Sequence, residues 1–168
     1  MKHATGGYIF IHAAPYALCP HIVWTLQHLM QGSLTVQWSE QPLKAGTVAT
    51  TIQWQGDQGD SARFASALFT IGNIFFEVTE NATATSDASR FMHTPSLGIF
   101  HAHTDIAGNF VVTEEQIKHA YEQAGDDPQL LLHHFEVALG QAWDLELEPL
   151  RPAASTLSSV PLLRSHRA

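Results

Sequence analysis

The sequence predicts an α+β fold: a ferredoxin-like βαββαβ antiparallel sheet followed by a β-hairpin and an antiparallel helix pair. Three observations predict it. Apolar alternation of period two and apolar stripes of period 3.6 succeed one another in the order strand, helix, strand, strand, helix, strand. Gly, Pro and short polar runs separate these segments. Two further helical stripes, each with its own cap signal, close the chain.

Taken in order, Tyr8-Ile9-Phe10-Ile11-His12 reads as a buried strand behind Gly6-Gly7. Ala13 to Leu18 reads as a loop. Cys19-Pro20 then opens a helix, Pro20 being suited to a position whose N–H has no partner. Ile22, Leu26, Leu29 and Met30 share one face of it, and Gly32 ends it. Leu34, Val36 and Trp38 alternate, as do Val48, Thr50, Ile52 and Trp54, which predicts a hairpin buried on one side. Ala62, Ala65, Leu68 and Phe69 give a second helix ending at Gly72, and Ile74-Phe75-Phe76-Glu77-Val78 a further strand. The segments 8–12 and 74–78 are apolar on both faces, which predicts that 8–12 is central and pairs with 74–78, although the ferredoxin-like element order makes the first and third strands the inner ones. The two helices are expected on one face of the sheet.

Asn81 to Ser89 is small and polar and reads as a loop. Arg90-Phe91-Met92-His93 and Leu97 to His103 read as short strands, with Phe110-Val111-Val112 closing a hairpin after the turn at Ala107-Gly108-Asn109. Thr113 with Gln116 three residues on is a capping box. Ile117, Ala120, Tyr121 and Ala124 form the stripe behind it. Asp127-Pro128 caps a last helix whose Leu131, Leu132, Phe135, Leu139 and Trp143 can pack inward. The expected organisation is a single domain over 1–168. It comprises a ferredoxin-like unit over 7–81, a hairpin and two helices over 89–150 packed on it, and a loosely ordered tail over 152–168.

Composition narrows the function classes. Only 14% of the 168 residues are charged, and the formal net charge is −8. Between 113 and 150 nine acids face only Lys118, which gives −8; the remaining seven acids and seven bases cancel. This distribution argues against nucleic acid and against an anionic membrane surface. No apolar run approaches the roughly 20 residues of a membrane span. The one cysteine, Cys19, cannot form an internal disulfide, and together with the absence of a signal-peptide core it favours the cytoplasm.

Three segments carry a family resemblance: Ile11-His12-Ala13-Ala14-Pro15 with Leu18-Cys19-Pro20-His21, then Thr94 to His101, then Ala142-Trp143-Asp144-Leu145-Glu146-Leu147-Glu148-Pro149. Together they resemble the family of domain of unknown function 3145 over about Gly7 to Arg151. The resemblance implies an actinobacterial cytoplasmic protein and a contextual link to fatty-acid synthesis. It implies no activity and no functional residues.

Candidate sites follow from residue chemistry. His101-x-His103-x-Asp105 places both imidazoles on one strand face, and zinc takes neutral His nitrogens and carboxylates. The plain alternative is an exposed hairpin end. Cys19 stands at a helix N-terminus, where the dipole can lower a thiol pKa, with His21 and His12 as candidate bases; the plain alternative is a small, unreactive space-filler. Trp24, Trp38 and Trp54 are expected as packing residues. Asp144, Glu146 and Glu148 form the densest part of the acidic stretch and are the candidate interaction face for a protein partner or a second copy. No nucleophile elbow of the form Gly-x-Ser-x-Gly occurs. The favoured reading is a non-enzymatic binding or regulatory module, without a cofactor, acting on a protein partner or a small metabolite. The alternative is a metal- or thiol-dependent enzyme using His101/His103/Asp105 or Cys19/His21.

Overall fold

The computed structural model describes residues 4–151. Within them lie six strands and five α-helices: β1 (Ala4–Pro15), α1 (Cys19–Met30), β2 (Ser39–Glu40), β3 (Thr47–Asp57), α2 (Asp60–Ile71), β4 (Phe75–Glu80), β5 (Ala88–Thr94), β6 (Gly98–Thr104), α3 (Glu114–Ala124), α4 (Pro128–Ala138) and α5 (Gln141–Leu147). One short 3-10 turn, Tyr16–Leu18, joins β1 to α1. All six strands form one antiparallel sheet in the order β2-β3-β1-β4-β5-β6.

The two faces of the sheet are covered by different halves of the chain. Ile9 and Ile11 of β1, Ile52 and Trp54 of β3, and Phe76 and Val78 of β4 join Ile22 and Leu26 of α1 and Phe64, Ala65 and Leu68 of α2 in one buried cluster. Both of these helices therefore lie on the same face. Trp54 also donates from its indole Nε1 to the Thr79 carbonyl (3.1 Å), so its single polar atom is satisfied inside the core. The start of α2 is closed from a distance: the Glu80 carboxylate, at the end of β4, accepts from the Gly59 and Ser61 backbone N–H groups at 3.0 and 3.1 Å. An anion at a helix N-terminus complements the free N–H groups there.

The opposite face is covered at the β5–β6 side by α5. Trp143 Nε1 donates to the Gly98 carbonyl (2.9 Å), the Trp143 ring packs on Phe100 at 5.1 Å, and the Ser96 hydroxyl donates to Glu146 (2.7 Å). The α3–α4 pair packs on itself and against α5. Buried Gln41 ties the two halves together by donating to the His12 carbonyl (2.7 Å) and to the Leu150 carbonyl (3.3 Å).

Four expectations change. The stretch 34–38 alternates in burial as its sequence suggests, with Leu34, Val36 and Trp38 against the core, yet the ladder is confined to Ser39–Glu40. Side chains take carbonyls of this stretch: Gln27 Nε2 donates to Leu34 O (3.2 Å) and Thr50 Oγ1 to Gln37 O (2.8 Å). The hairpin is formed by β5 with β6, while Phe110 makes only an isolated bridge to Thr104. The last helix is two helices, because Gly140 adopts a left-handed φ of 63° and packs so closely that a Cβ there would lie 2.6 Å from the Phe100 ring. Trp24 is 67% exposed and stacks over His28, one turn on, instead of packing inward.

The central position of β1 and its pairing with β4 are observed, with Ile9 opposite Val78 and Ile11 opposite Phe76. β4 is internal because β5 and β6 extend the sheet beyond it, which accounts for its apolar character on both faces. The expected tail over 152–168 lies outside the described residues. No described helix is long and apolar enough to cross a membrane.

Gly7 makes the closest backbone approach in the sheet. A Cβ there would meet the Thr79 carbonyl oxygen at 2.0 Å, whereas at Gly46 (φ 75°) it would meet nothing within 4 Å. Gly7→Ala should cost about 3 kcal/mol or more, since backbone of a central strand must move, and Gly46→Ala about 1–2 kcal/mol for the left-handed conformation alone. Urea unfolding of the two variants side by side checks the ranking; equal costs would remove the close-approach argument.

Candidate functional site

On the face opposite α1 and α2, a carboxylate sits in the middle of the sheet. In β4 the strand period aims Glu77 away from its apolar neighbours Phe76 and Val78. Glu77 is 1% exposed, so its charge requires partners. Arg151 supplies them from the end of the described chain: its Nε donates to Glu77 Oε1 at 3.0 Å, and its Nη2 also contacts that oxygen. Arg90 of β5 donates from Nη2 to Oε2 at 2.7 Å. His12 of β1 brings Nε2 to 3.6 Å from the same Oε2, within electrostatic contact but beyond hydrogen-bonding distance. Among the described residues, both ring nitrogens of this fully buried His12 lack a hydrogen-bond partner.

Arg151 is also held from outside. Its Nη1 lies 2.6 Å from Asp144 Oδ1 and 2.7 Å from Glu148 Oε2. Two of the three carboxylates expected as an interaction face are thus engaged on an internal arginine, and the third, Glu146, accepts from Ser96. The physical reason is the geometry of the last turn: Glu148 and Arg151 are three residues apart, and the bend after α5 carries the guanidinium inward. Burial alone would raise the Glu77 pKa, but Arg90, His12 and Arg151 together hold it well below the ordinary carboxylate range. The Arg151 pKa is raised: burial opposes its charge, and Glu77 and Asp144 outweigh that effect.

Arg90 connects this cluster to an open cleft of about 780 Å³. The floor is Tyr8 and Phe10, stacked at 5.8 Å on one face of β1, with Thr79 of β4 beside them. The walls are the 81–83 loop, Ala88 and Ser89 of β5, and the 105–108 loop, whose Ile106 is 98% exposed at the rim. The Arg90 guanidinium lies 5.5 Å from the Phe110 ring centre, and its buried Nε has no hydrogen-bond partner among the described residues. The lining therefore combines an apolar aromatic floor with hydroxyls, the Arg90 cation and the acidic residues Glu77, Glu80 and Asp105.

The sequence-predicted sites are dispersed. His101 and His103 share a face of β6, their rings 5.5 Å apart, and His101 stacks on Phe91 at 4.2 Å. Burial against that ring, with the neighbouring His103 charge, pushes the His101 pKa down. Asp105 turns away into its own loop, where Asn109 donates to it from backbone N and from Nδ2, each at 2.8 Å. Those bonds lower the Asp105 pKa. Among the described residues no three His, Cys, Asp or Glu groups come together to hold a metal ion. The half-buried Cys19 thiol contacts the Pro15 carbonyl at 3.8 Å, His21 is exposed, and burial pushes the thiol pKa up, with its own backbone opposing in part.

Glu77, Arg90 and Arg151 are absent from the candidate residues derived from the sequence. The available signal was Glu77 itself, a lone carboxylate in the otherwise apolar run Ile74 to Val78, which demands a cation once buried. Nothing in the spacing says which of the chain's arginines answers it.

Replacing Glu77 by Gln should cost about 3–5 kcal/mol, because two guanidinium groups lose their shared anion. The folded-state pKa of Glu77 lies below its unfolded value, so its contribution is complete above about pH 4.3 and is lost as pH falls through the folded pKa. The urea midpoint of the wild type should fall on acidification below that pH, and the Gln variant should show a shallower fall. Equal pH profiles would exclude this role. For Cys19, thiol labelling at pH 7 should run slower than for a free cysteine peptide, since the thiolate is the reacting form; faster labelling would reverse the assignment.

No curated protein and no solved structure matches this chain. The family described as "Protein of unknown function (DUF3145)" matches residues 8–164, nearly the whole sequence, and the chain belongs to that family.

Proposed function

We propose that this protein is a non-enzymatic binding or regulatory module whose ligand is a small, mainly apolar metabolite with a polar end directed at Arg90. The observation that carries this reading is the cleft over Tyr8 and Phe10. It is concave, it has an aromatic floor, and its one cation is held in place by a buried carboxylate. Sites for small ligands have this make-up: mostly apolar walls with a few fixed polar groups. Side chains locked by their own partners need little reordering on binding.

The strand order β2-β3-β1-β4, with α1 and α2 on one face, supports a ferredoxin-like reading of the first four strands. In that reading β5 and β6 are an extension, and the C-terminal helices cover part of the face that a ferredoxin-like sheet leaves open. The cleft is the uncovered remainder of that face. A cytoplasmic location agrees with the lone half-buried thiol. The link to fatty-acid synthesis rests on the family resemblance alone. The enzymatic alternatives draw no support from geometry, since Asp105 is committed to Asn109 and the Cys19 thiol to a carbonyl.

The test is native mass spectrometry of the protein purified from its own host, paired with thermal-shift screening of the small molecules released. Ala88 lines the cleft and is half-buried, so Ala88→Trp fills the space without entering the main core. A bound metabolite should raise Tm of the wild type, by an increment equivalent to about 2.7 kcal/mol at a ligand concentration 100 times Kd. Its affinity for Ala88→Trp should be at least about tenfold weaker. A metabolite that binds both proteins equally would place the site elsewhere.

A further inference from the structure

The layer formed by α1 and α2 carries almost no charge. α1 contains no Asp, Glu, Lys or Arg, and α2 contains only Asp60 and Arg63, which pair with each other at 2.7 Å. A surface helix ordinarily sets charged residues opposite its apolar stripe. Both helices have the stripe, since Ile22 and Leu26 of α1 and Phe64, Ala65 and Leu68 of α2 enter the core. Their outward faces instead carry His21, Trp24 and His28 on α1 and Ser66, Phe69 and Thr70 on α2. Trp24 is 67% exposed and Phe69 48%.

Both exposed aromatic rings are held by a neighbour. Trp24 stacks on His28 at 6.0 Å, within 13° of parallel. Phe69 meets the His93 ring edge-on at 5.4 Å, and His93 is itself fixed on the Ile74 carbonyl at 2.8 Å. A large side chain already held in place loses little freedom when a partner covers it, and aromatic anchors of this kind carry much of the energy of protein contacts.

We propose that the α1–α2 layer is the contact surface between two copies of this chain, in a two-fold dimer anchored by Trp24 and Phe69. Charge names the occupant. In a two-fold contact each copy presents the same patch, so any net charge on that patch meets its own sign. With His neutral, α1 and α2 sum to zero. The stretch 113–150 sums to −8 and places its helix α5 on the other face of the sheet, where Trp143 bonds Gly98. Pairing through α1 and α2 keeps the two acidic stretches out of the contact, whereas pairing through α3, α4 or α5 would set them against each other. A strongly charged partner finds no uncompensated charge on this layer, which favours a second copy over a basic or an acidic protein.

Sedimentation velocity of the full chain, from low to high micromolar protein, tests the proposal without any substitution. The wild type should pass from monomer to dimer as concentration rises. A monomer throughout, or growth beyond the dimer, overturns the proposal. Two variants locate the contact. Trp24→Glu sets a carboxylate against its own copy, and the exposed ring lies outside the core, so the fold is kept; dimerisation should weaken at least about tenfold. Leu132→Glu makes the same kind of change on α4, where Leu132 is 52% exposed, and should leave the dimerisation constant unchanged. A dimer that survives Trp24→Glu, or that Leu132→Glu dissociates, places the contact elsewhere and overturns the proposal. The α1–α2 layer and the Tyr8–Phe10 cleft lie on opposite faces of the sheet, so this outcome is independent of the metabolite-binding reading.

Discussion

The Glu77 carboxylate is the point on which the two halves of this protein depend. It stands at the centre of the sheet, on the face left bare by α1 and α2, and receives Arg90 from the neighbouring strand and Arg151 from the far end of the described chain. A charge at this depth is tolerated only when it is paired and hydrogen-bonded. The ion cluster therefore does more than join two residues. It requires the chain after α5 to turn inward and so fixes where α5 sits on β5. Gln41, bonded to both the His12 and Leu150 carbonyls, holds the same junction from the other side of β1.

That junction divides the second sheet face into two territories. On the β5–β6 side, Trp143, Phe100 and Gly140 pack closely enough to exclude any side chain at position 140. On the β1 side, Tyr8 and Phe10 form an aromatic floor that no described helix covers, and Arg90 stands on the boundary, lining the cleft. An arginine pinned by Glu77 and laid near the Phe110 ring is a pre-oriented group with little freedom left to lose on binding. The metabolite-binding reading rests on that pre-orientation.

The histidines illustrate how environment overrides residue type. A count of eleven suggests metal chemistry or titration near neutral pH. In the fold, His93 lies between Phe69 and Phe76 and bonds the Ile74 carbonyl at 2.8 Å, and burial pushes its pKa down. His101 stacks on Phe91, and His12 is stacked beside Phe10. These rings serve as flat, partly polar packing units. His101 and His103 keep the spacing of a chelating pair, but the third ligand is missing because Asp105 closes its own turn.

Local periodicity and cap chemistry sufficed for most of the elements. The β1 and β4 pairing followed from apolarity on both faces, the Thr113–Gln116 capping box formed as its spacing implies, and Asp127 caps α4 through the Gln129 and Leu130 N–H groups. The caps depend on neighbours within one turn, and the two-faced apolarity of β1 and β4 on residues within each strand, so the sequence by itself determined them. That Leu34, Val36 and Trp38 stay outside the ladder, where the last helix breaks, and which cation answers Glu77 were decided only by the tertiary structure. Each depends on groups far apart in the chain: Thr50 on Gln37, Phe100 on Gly140, and Arg151 on a carboxylate 74 residues away. A buried charge announces in the sequence that it needs a partner, but the identity of that partner exists only once packing has brought the two ends together.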